Sequence, residues 1–280
     1  MKVLVTGYNG QLGYDVIKQL NARNIQCRGV DIADFDITDS EQTEKYIKDY
    51  APDTVVHCAA YTAVDKAEDD EITCRRVNVD GTENIASACA KIGAKMLYVS
   101  TDYVYSGEGS EPFEPTDEVC PQSVYGQTKL DGETAVKKHL EKYFIVRTSW
   151  VFGINGKNFV KTMLNLGEKN KEVRVVDDQI GSPTYTPDLA RLICDLIETE
   201  HYGTYHGTNE NYCSWADFAQ EIMRLGEKDC KVIRISSDEF PAKAKRPLNS
   251  RMSKKCLDDI NIERLPSWQN ALERFLKEMT

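Results

Sequence analysis

The sequence predicts an α/β protein with a doubly wound parallel sheet and a smaller C-terminal lobe. Short apolar strands alternate with amphipathic helices over the first 150 residues, which is typical of a parallel sheet with helical crossovers. The first strand, residues 2–6, also runs directly into a glycine-rich turn that begins a helix. We therefore expect a dinucleotide-binding, Rossmann-type domain over residues 1–150, to which later segments can return. Residues 151–280 are expected to form mainly a substrate-binding lobe.

The glycine turn has the spacing G-x-x-G-x-x-G, at Gly7, Gly10 and Gly13. In dinucleotide-binding proteins the first glycine permits a tight turn, the second lets the diphosphate approach the backbone, and the third lets the helix pack on the strand. A helix expected over residues 11–24 would present its free N–H groups to the diphosphate. The turn therefore predicts a nicotinamide dinucleotide site.

The second strand, residues 26–30, ends at Asp31. An acidic residue about 20 positions after the glycines is expected to bond the adenosine ribose hydroxyls. A carboxylate there favours NAD, because it repels a 2′-phosphate, but the nearby Arg28 and Lys18 leave NADP open. Asp36 and Ile37 follow as a turn that either contacts adenine or is an ordinary acidic loop.

The remaining elements are assigned from apolar periodicity and from Gly and Pro punctuation. We expect the long helical stretch 71–92 to be broken at Gly81. Further helices are expected at 40–51, 125–143, 159–166, 187–197, 215–225 and 268–279. Further strands are expected at 54–58, 94–99, 144–148, 173–176 and 231–235.

Chemistry is expected where the fourth strand ends, at Ser100-Thr101-Asp102-Tyr103, because open α/β sheets bind ligands there. Tyr125 and Lys129 lie four residues apart and share one face of the helix that follows. A nearby ammonium would favour the phenolate and lower the pKa of Tyr125. The same spacing recurs at Tyr14 and Lys18, which we interpret as an ordinary part of the first helix.

Composition excludes several classes of function. The chain has 280 residues, 41% of them hydrophobic, and a net charge of −10, which argues against a broad nucleic-acid or anionic-membrane surface. No apolar run approaches a membrane span and no leader is visible, so we expect a cytoplasmic protein. The nine cysteines form no C-x-x-C pair and the four histidines no cluster with them, so we expect reduced thiols and no metal site.

Several longer motifs resemble the extended short-chain dehydrogenase/reductase family, and within it the reductases of 4-keto nucleotide sugars. The resemblance covers essentially the whole chain. The matching segments are GYNGQLG at 7–13, AAYTAVDKAE at 59–68, STDYVY at 100–105, YGQTKLDGE at 125–133, RTSW at 147–150, DDQIGSPT at 177–184 and RPLNSR at 246–251.

The resemblance implies reduction of a dTDP-4-keto-6-deoxysugar by NADPH or NADH, with dTDP-L-rhamnose as the product. It implies catalytic roles for Thr101, Tyr125 and Lys129. It implies that the cofactor is contacted by Gly7, Gly10, Gln11, Leu12, Gly13, Asp31, Asp36, Ile37, Ala60, Tyr61, Thr62, Val99, Tyr125 and Lys129. It implies that the sugar is contacted by Thr101, Asp102 and Trp150.

The resulting hypothesis is hydride transfer to the sugar C4 carbonyl with Tyr125 as general acid. Lys129 would hold the nicotinamide ribose, and Thr101 would bond the developing oxyanion. Arg246 and Arg251 are candidates for the substrate diphosphate, because planar guanidinium suits phosphate. We expect a monomer or a homodimer. The glutamates that hold a metal between subunits in some family members cannot be matched here.

Three other functions remain open on the sequence alone. The fold also supports a nucleotide-sugar epimerase that retains NAD, and a reductase of a different 6-deoxysugar. A related protein serves instead as a regulatory subunit of methionine adenosyltransferase, although the presence of Thr101, Tyr125 and Lys129 argues against that role.

Overall fold

The computed structural model describes residues 1–279 of the chain. Its β-strands, numbered β1 to β13 in chain order, are Lys2–Thr6, Gln26–Val30, Thr54–His57, Lys95–Thr101, Tyr143–Thr148, Val151–Phe152, Glu172–Val176, Ile180–Gly181, Thr184–Tyr185, Gly203–His206, Cys213–Ser214, Lys231–Ile235 and Asn249–Ser250. Its α-helices, numbered α1 to α11, are Gln11–Ala22, Ser40–Tyr50, Val64–Ala67, Glu71–Arg75, Gly81–Ile92, Val124–His139, Phe159–Lys169, Thr186–Ile197, Trp215–Leu225, Lys255–Asp258 and Trp268–Met279.

Six parallel strands form the central sheet, in the order β10-β5-β4-β3-β1-β2. The strand order reverses direction at β1, so β2 and β3 lie on either side of it. Helices cover both faces of the sheet, which explains why β1, β3, β4 and β5 are almost wholly buried. The predicted α/β class and doubly wound parallel sheet are confirmed.

Two apolar layers hold the helices on the sheet. On one face, α1 contributes Leu12, Val16 and Leu20 and packs over β1 and β2, next to α8, which packs over β4 and β5. On the other face, α2, α5 and α6 pack over a second layer that includes Tyr98 and Ile145. Successive strand residues point to opposite faces, so one strand serves both layers.

The predicted break at Gly81 is wrong. The helical path is continuous from Glu71 to Ile92, with a π-helical segment, Arg76–Asp80, between α4 and α5. Gly81 has ordinary helical angles, and its missing Cβ makes room for the side chain of Ile37, which would lie 2.8 Å from that atom. The glycine is required for packing, and it leaves the helix intact.

The second lobe has its own core of aromatic and aliphatic side chains between α7, α9 and α11. Short strand pairs frame it: β6 with β9, β7 with β12, and β8 with β11 and β13. The intervening segment that contains α8 and β10 belongs to the central sheet, where β10 pairs with β5. The chain therefore passes from the sheet to the lobe and back, and a cleft separates the two.

Candidate active site

One large cavity of about 810 Å³ lies at the carboxyl ends of the central strands, facing the second lobe. Its lining follows the ends of β1, β2, β3, β4 and β5, as expected for an open α/β sheet. The structure brings most of the sequence-predicted site residues to this wall: Gly7, Gly10, Gln11, Leu12, Gly13, Asp31, Asp36, Ile37, Ala60, Thr62, Val99, Thr101, Asp102, Tyr125, Lys129, Trp150 and Arg246.

The glycine turn has the shape that a diphosphate requires. Gly7 has a φ of +67°, and a Cβ on Gly13 would lie 2.3 Å from the Gly7 carbonyl oxygen, so neither position accepts a side chain. Gly10 caps α1 without any side-chain hydrogen bond to the first turn. Helix N–H groups are therefore left free to bind an anion, and the helix dipole favours negative charge there.

Asp31 stands at the end of β2, close to the glycine turn. Its carboxylate accepts hydrogen bonds from the backbone N–H groups of Asn9, at 3.3 Å, and of Ile32, at 2.9 Å. Phe35 and Ile37 add an apolar wall beside it. A carboxylate next to an apolar wall fits a ribose and its adenine.

Thr101 and Tyr125 meet at the end of β4. Tyr125 is the second residue of α6, and Ser123 caps this helix by accepting a hydrogen bond from the N–H of Gly126, at 3.1 Å. Thr101 and Tyr125 both line the cavity here, and the Thr101 hydroxyl donates to Asp102 at 3.0 Å. The ring of Tyr103 packs edge-on against Tyr125, with 5.5 Å between centroids. The hydroxyl of Thr101 and the phenol of Tyr125 therefore line the same part of the cavity.

The predicted lowering of the Tyr125 pKa is wrong in direction. Tyr125 keeps some contact with the open cavity, but the surrounding protein desolvates it and raises its pKa well above its usual range, and the charge of Asp102 adds to that rise. Lys129 instead faces the ring of Tyr98, with its Nζ 4.0 Å from the centroid. Tyr125 is therefore protonated at neutral pH, the state that a proton donor needs.

Asp102 is a buried carboxyl group at the edge of this cluster. It accepts hydrogen bonds from the hydroxyls of Thr101, at 3.0 Å, and Ser250. Burial raises its pKa to about 6 against the opposing effect of these bonds. Ser250 comes from β13, so Asp102 joins the end of β4 to a segment near the C-terminus of the chain.

Trp150 forms the lobe side of the cavity. Its φ is +51°, a left-handed conformation that is costly for a bulky side chain. Its indole stacks on Trp215, with 3.7 Å between centroids and 15° between planes. Both rings line the cavity. The backbone conformation and the stack together present a flat aromatic surface to whatever binds there.

The two predicted phosphate-binding arginines have different surroundings. Arg246 lines the cavity, where its Nη2 pairs with Asp65 at 2.7 Å and its Nη1 reaches the Tyr103 hydroxyl at 3.5 Å. Its buried Nε has no protein partner. Arg251 lies outside the lining, because its guanidinium donates to Asn249 Oδ1 at 2.9 Å and its carbonyl accepts from the Phe113 N–H.

Tyr61 is the other predicted residue that lies outside the cavity lining. Its backbone N–H and C=O are both bonded to the side-chain amide of Asn78, at 2.8 and 3.2 Å. Asn78 is part of the π-helical segment. This amide therefore anchors the loop that follows β3, and its neighbours Ala60 and Thr62 face the cavity.

Sequence reasoning did not single out several residues that line the cavity. Tyr103, Gln179 and Ser250 lie within quoted motifs, but none had a chemical role assigned to it. Gln179 and Trp215 are brought in by the second lobe, and no local pattern places their side chains at the sheet. Tyr103, Gln179, Trp215 and Ser250 all line the cavity.

The side chains and helices of residues 1–279 also bear on other kinds of site. No group of three or more His, Cys, Asp or Glu side chains in this range is arranged to hold a metal ion. None of the helices in the same range is long and apolar enough to cross a bilayer. All nine cysteines are free thiols.

Comparison with known proteins identifies the family. The family model described as the RmlD substrate binding domain matches residues 1–280. The chain belongs to this family. The spore coat polysaccharide biosynthesis protein SpsK of Bacillus subtilis (strain 168) is 37% identical to it, over 99% of this chain and 97% of SpsK. The dTDP-4-dehydrorhamnose reductase of Aggregatibacter actinomycetemcomitans is 38% identical, over 97% of each chain.

Two solved structures of the same reductase are very similar in backbone. The enzyme from Clostridium acetobutylicum ATCC 824 has a TM-score of 0.98 and 44% identity, covering 100% of this chain and 99% of its own. The enzyme from Bacillus anthracis str. Ames, in complex with NADP, has a TM-score of 0.97 and 42% identity, covering 99% and 100%. The resemblance found in the sequence motifs is thereby confirmed over the whole chain.

Proposed function

We infer that this member of the RmlD family is an NAD(P)H-dependent oxidoreductase that reduces dTDP-4-dehydrorhamnose to dTDP-L-rhamnose. Relatives that match it along their full length carry the reductase name, and one was solved with NADP. The observation that carries the proposal is a convergence within one cavity. Thr101 lies at the end of β4 with Tyr125 and Lys129 of α6 beside it, and the glycine turn follows the end of β1.

The residues present fit the dinucleotide. The glycine turn and the N-terminus of α1 would hold its diphosphate, Asp31 the adenosine ribose, and Lys129 the nicotinamide ribose. When bound, the dinucleotide supplies the hydride that reduces the C4 carbonyl of the sugar.

Tyr125 donates the proton. Its raised pKa keeps the phenol protonated at neutral pH, so the proton on its Oη is available to the carbonyl oxygen as charge develops there. Thr101 lines the same wall of the cavity and would bond the substrate oxygen as charge develops there. The buried cation of Lys129 stabilises negative charge on the phenol oxygen once the proton has left.

The wall of the cavity that faces the second lobe binds the sugar nucleotide. Trp150, held flat by Trp215, offers an aromatic face to the apolar side of the deoxysugar. Asp102 lies next to Thr101 and can accept from a sugar hydroxyl. Arg246 has an unpartnered Nε at the cavity, which suits one oxygen of the substrate diphosphate.

Substitution of Tyr125 by Phe tests the proposal. Tyr125→Phe should bind NAD(P)H as the parent does, yet lose about 100-fold or more in turnover of dTDP-4-dehydrorhamnose, because the proton donor is gone. Dinucleotide binding is measured by fluorescence of the reduced nicotinamide, and turnover by its absorbance together with chromatography of the dTDP-sugar product. Tyr14→Phe is the matched control, since Tyr14 belongs to the second Tyr-x-x-x-Lys pair and is exposed.

The product analysis also separates the other functions. Sugar interconversion without net oxidation of the reduced dinucleotide would indicate an epimerase. If only a different dTDP-4-keto-6-deoxysugar is turned over, the protein is a reductase of that sugar instead. Full activity of Tyr125→Phe would remove Tyr125 from the mechanism. A cytoplasmic location and a monomeric or homodimeric state stay predictions.

A further inference from the structure

A buried ion pair lies directly behind the proposed catalytic residues. Glu133, on α6, is wholly buried and accepts two hydrogen bonds from Arg147, from Nε at 2.9 Å and from Nη2 at 2.7 Å. It also accepts a hydrogen bond from the hydroxyl of Ser100 at 2.6 Å, and the exposed ammonium of Lys137 lies 3.7 Å from its Oε2. Arg147 itself is 2% exposed. Burying two charges is costly and is weak evidence for stability alone, so the pair calls for a further explanation.

The pair connects the two elements that carry the reacting groups. Glu133 follows Lys129 by four residues on α6, so the two side chains share one helix face. Ser100 immediately precedes Thr101 on β4, and it lies opposite Arg147 of β5 in the parallel register. The carboxylate of Glu133 therefore ties the helix of Tyr125 and Lys129 to the strand end that presents Thr101.

Arg147 extends the connection away from the cavity. Its Nη1 donates to the Tyr105 hydroxyl at 2.6 Å and to the carbonyl of Pro115 at 3.1 Å. The Tyr105 oxygen lies 2.6 Å from His206 Nε2. This second set of bonds fixes the guanidinium from the far side, and Glu133 is held in one position as a result.

Lys129 depends on this carboxylate for its charge. It is 2% exposed, and burial lowers its pKa to about 7 while Glu133 opposes that fall. The other titratable groups that face it are Cys58 and Cys74, whose pKa values are raised by burial, and His57, whose pKa is lowered to about 3. All three are neutral at neutral pH, and the Tyr98 ring and Tyr125 are neutral as well.

We propose that Glu133 is a positioning residue for the reduction: clamped by Arg147 and Ser100, its carboxylate keeps Lys129 in the ammonium form and fixes α6 against the end of β4. The proposal rests on the proposed function, because it acts through Lys129. It assigns a role to a residue that touches neither substrate nor dinucleotide.

The test measures the protonation of Lys129 directly. Protein labelled with ¹³C at the lysine ε carbon is titrated by NMR, and the Lys129 signal is assigned by its loss in Lys129→Met. In Glu133→Gln the midpoint of this signal should move down by about one pH unit or more, since the favourable charge is gone. The high-pH limb of kcat/KM for the keto sugar should move down with it, so that activity lost at neutral pH is recovered at lower pH.

Glu133→Gln leaves the Arg147 guanidinium buried alone and can unfold the protein. The double variant Glu133→Gln/Arg147→Met removes both charges, and it should also move the Lys129 midpoint downward, by less than the single variant because the opposing charge of Arg147 is lost as well. Ser100→Ala is the matched control, because it removes a hydrogen bond to Glu133 without removing charge, and its Lys129 midpoint should stay at the parent value.

The outcomes separate this inference from the proposed function. A folded Glu133 variant in which Lys129 titrates as in the parent overturns the inference, whatever its activity. A shifted Lys129 midpoint with an unshifted kcat/KM profile supports the electrostatic role of Glu133 but removes Lys129 from the reaction. A uniform loss of activity at every pH, with no shift in either profile, would indicate a structural role only.

Discussion

Burial acts on the two central side chains of the site in opposite directions. It raises the pKa of the Tyr125 phenol and lowers the pKa of the Lys129 ammonium to about 7, because desolvation disfavours the charged form of each. The phenol is therefore a proton donor over the whole neutral range without help from Lys129. The lysine, in contrast, needs the Glu133 carboxylate to remain charged.

Asp31 should set the choice between the two dinucleotides. Its carboxylate bonds the Asn9 N–H at the edge of the cavity, where it would accept the ribose hydroxyls of NADH and repel the 2′-phosphate of NADPH. We expect Asp31→Ala to raise the ratio of kcat/KM for NADPH to that for NADH by about 10-fold or more, as the loss of one charged hydrogen bond implies.

Asp34→Asn is the control for this measurement. It removes the same charge three residues away, and Asp34 lies outside the cavity lining. If both variants change the ratio equally, the negative charge near β2 sets the preference for the dinucleotide. A direct contact between Asp31 and the ribose would then play no part in it.

Arg246 and Arg251 provide a matched pair on the substrate side. Arg246→Met should raise the KM for the sugar nucleotide by about 10- to 100-fold with a smaller change in kcat, because a charged hydrogen bond to phosphate is removed. Arg251→Met should leave KM within about twofold, since its guanidinium is engaged with Asn249 outside the cavity. Steady-state kinetics at saturating dinucleotide distinguish the two, and equal effects would contradict the assignment.

At the residue scale, the local sequence predicted those features of the site that depend only on backbone conformation. Gly7 and Gly13 could be assigned because their missing side chains are a property of the turn itself. The direction of the Tyr125 pKa could not, since spacing along a helix says nothing of desolvation. Arg246 and Arg251 lie in one motif, and only the path of the chain decides which of them reaches the cavity.

Glycines inside helices decide how closely the elements of this fold approach. Gly132 lies in α6, where an added Cβ would come within 2.3 Å of the Tyr98 hydroxyl and 2.8 Å of the backbone oxygen of Asn78. Alanine favours a helix over glycine by about 1 kcal/mol, so propensity alone predicts that Gly132→Ala stabilises the protein. The contact with backbone oxygen outweighs this term.

We expect Gly132→Ala to lower the free energy of unfolding by about 1–3 kcal/mol, the usual cost of overpacking. Urea denaturation followed by circular dichroism measures the change. Gly167→Ala, in α7, is the control: its Cβ would meet side-chain atoms and no backbone oxygen, the Met223 thioether at 2.7 Å and Lys228 Cβ at 3.0 Å. We expect a change of less than about 1 kcal/mol there. If Gly132→Ala stabilises the protein instead, α6 can shift enough to relieve the contact of the added Cβ with its neighbours.

At the element scale, the sequence predicted every helix longer than four residues and seven of the thirteen strands within residues 1–279. It did not predict β10 or the two-residue strands β6, β8, β9, β11 and β13, and it extended α6 to residue 143, beyond its end at His139. Two further exceptions have a tertiary cause. Gly81 was interpreted as a helix break, but it serves the packing of Ile37 and leaves the helix continuous. The π-helical segment had no sequence signal, since it places Asn78 against the backbone of Tyr61, a partner 17 residues away. Local propensity does not contain such a contact.

At the scale of the whole molecule, the site exists because the chain leaves the central sheet and returns to it. Trp150 lies two residues after the end of β5, whereas Trp215, Arg246 and Ser250 reach the same cavity from later segments. Strand ends could be predicted to carry chemistry, since that rule holds for every open α/β sheet. Which side chains of the second lobe face the sheet depends on several short strand pairs that periodicity does not specify.

Two buried histidines should make the stability of the whole fold depend on pH. His57 lies between Thr6, at 2.7 Å, and Thr82, at 3.2 Å, and His206 lies between Tyr105 and the Ser253 carbonyl. Burial lowers the pKa of each to about 3, whereas the unfolded chain titrates near 6.5. Below pH 6.5 the unfolded state therefore takes up protons that the folded state does not, and stability falls as the pH falls.

The expected loss is about 2 kcal/mol per histidine between pH 6.5 and pH 5. His57→Gln keeps hydrogen-bonding capacity without titrating, so its free energy of unfolding should fall less steeply than that of the parent, by about 1.4 kcal/mol per pH unit. Urea denaturation at several pH values between 5 and 6.5 gives both slopes. Asp102, whose raised pKa has the opposite effect, is present in both proteins and cancels in the comparison. Equal slopes would mean that His57 becomes charged in the folded protein.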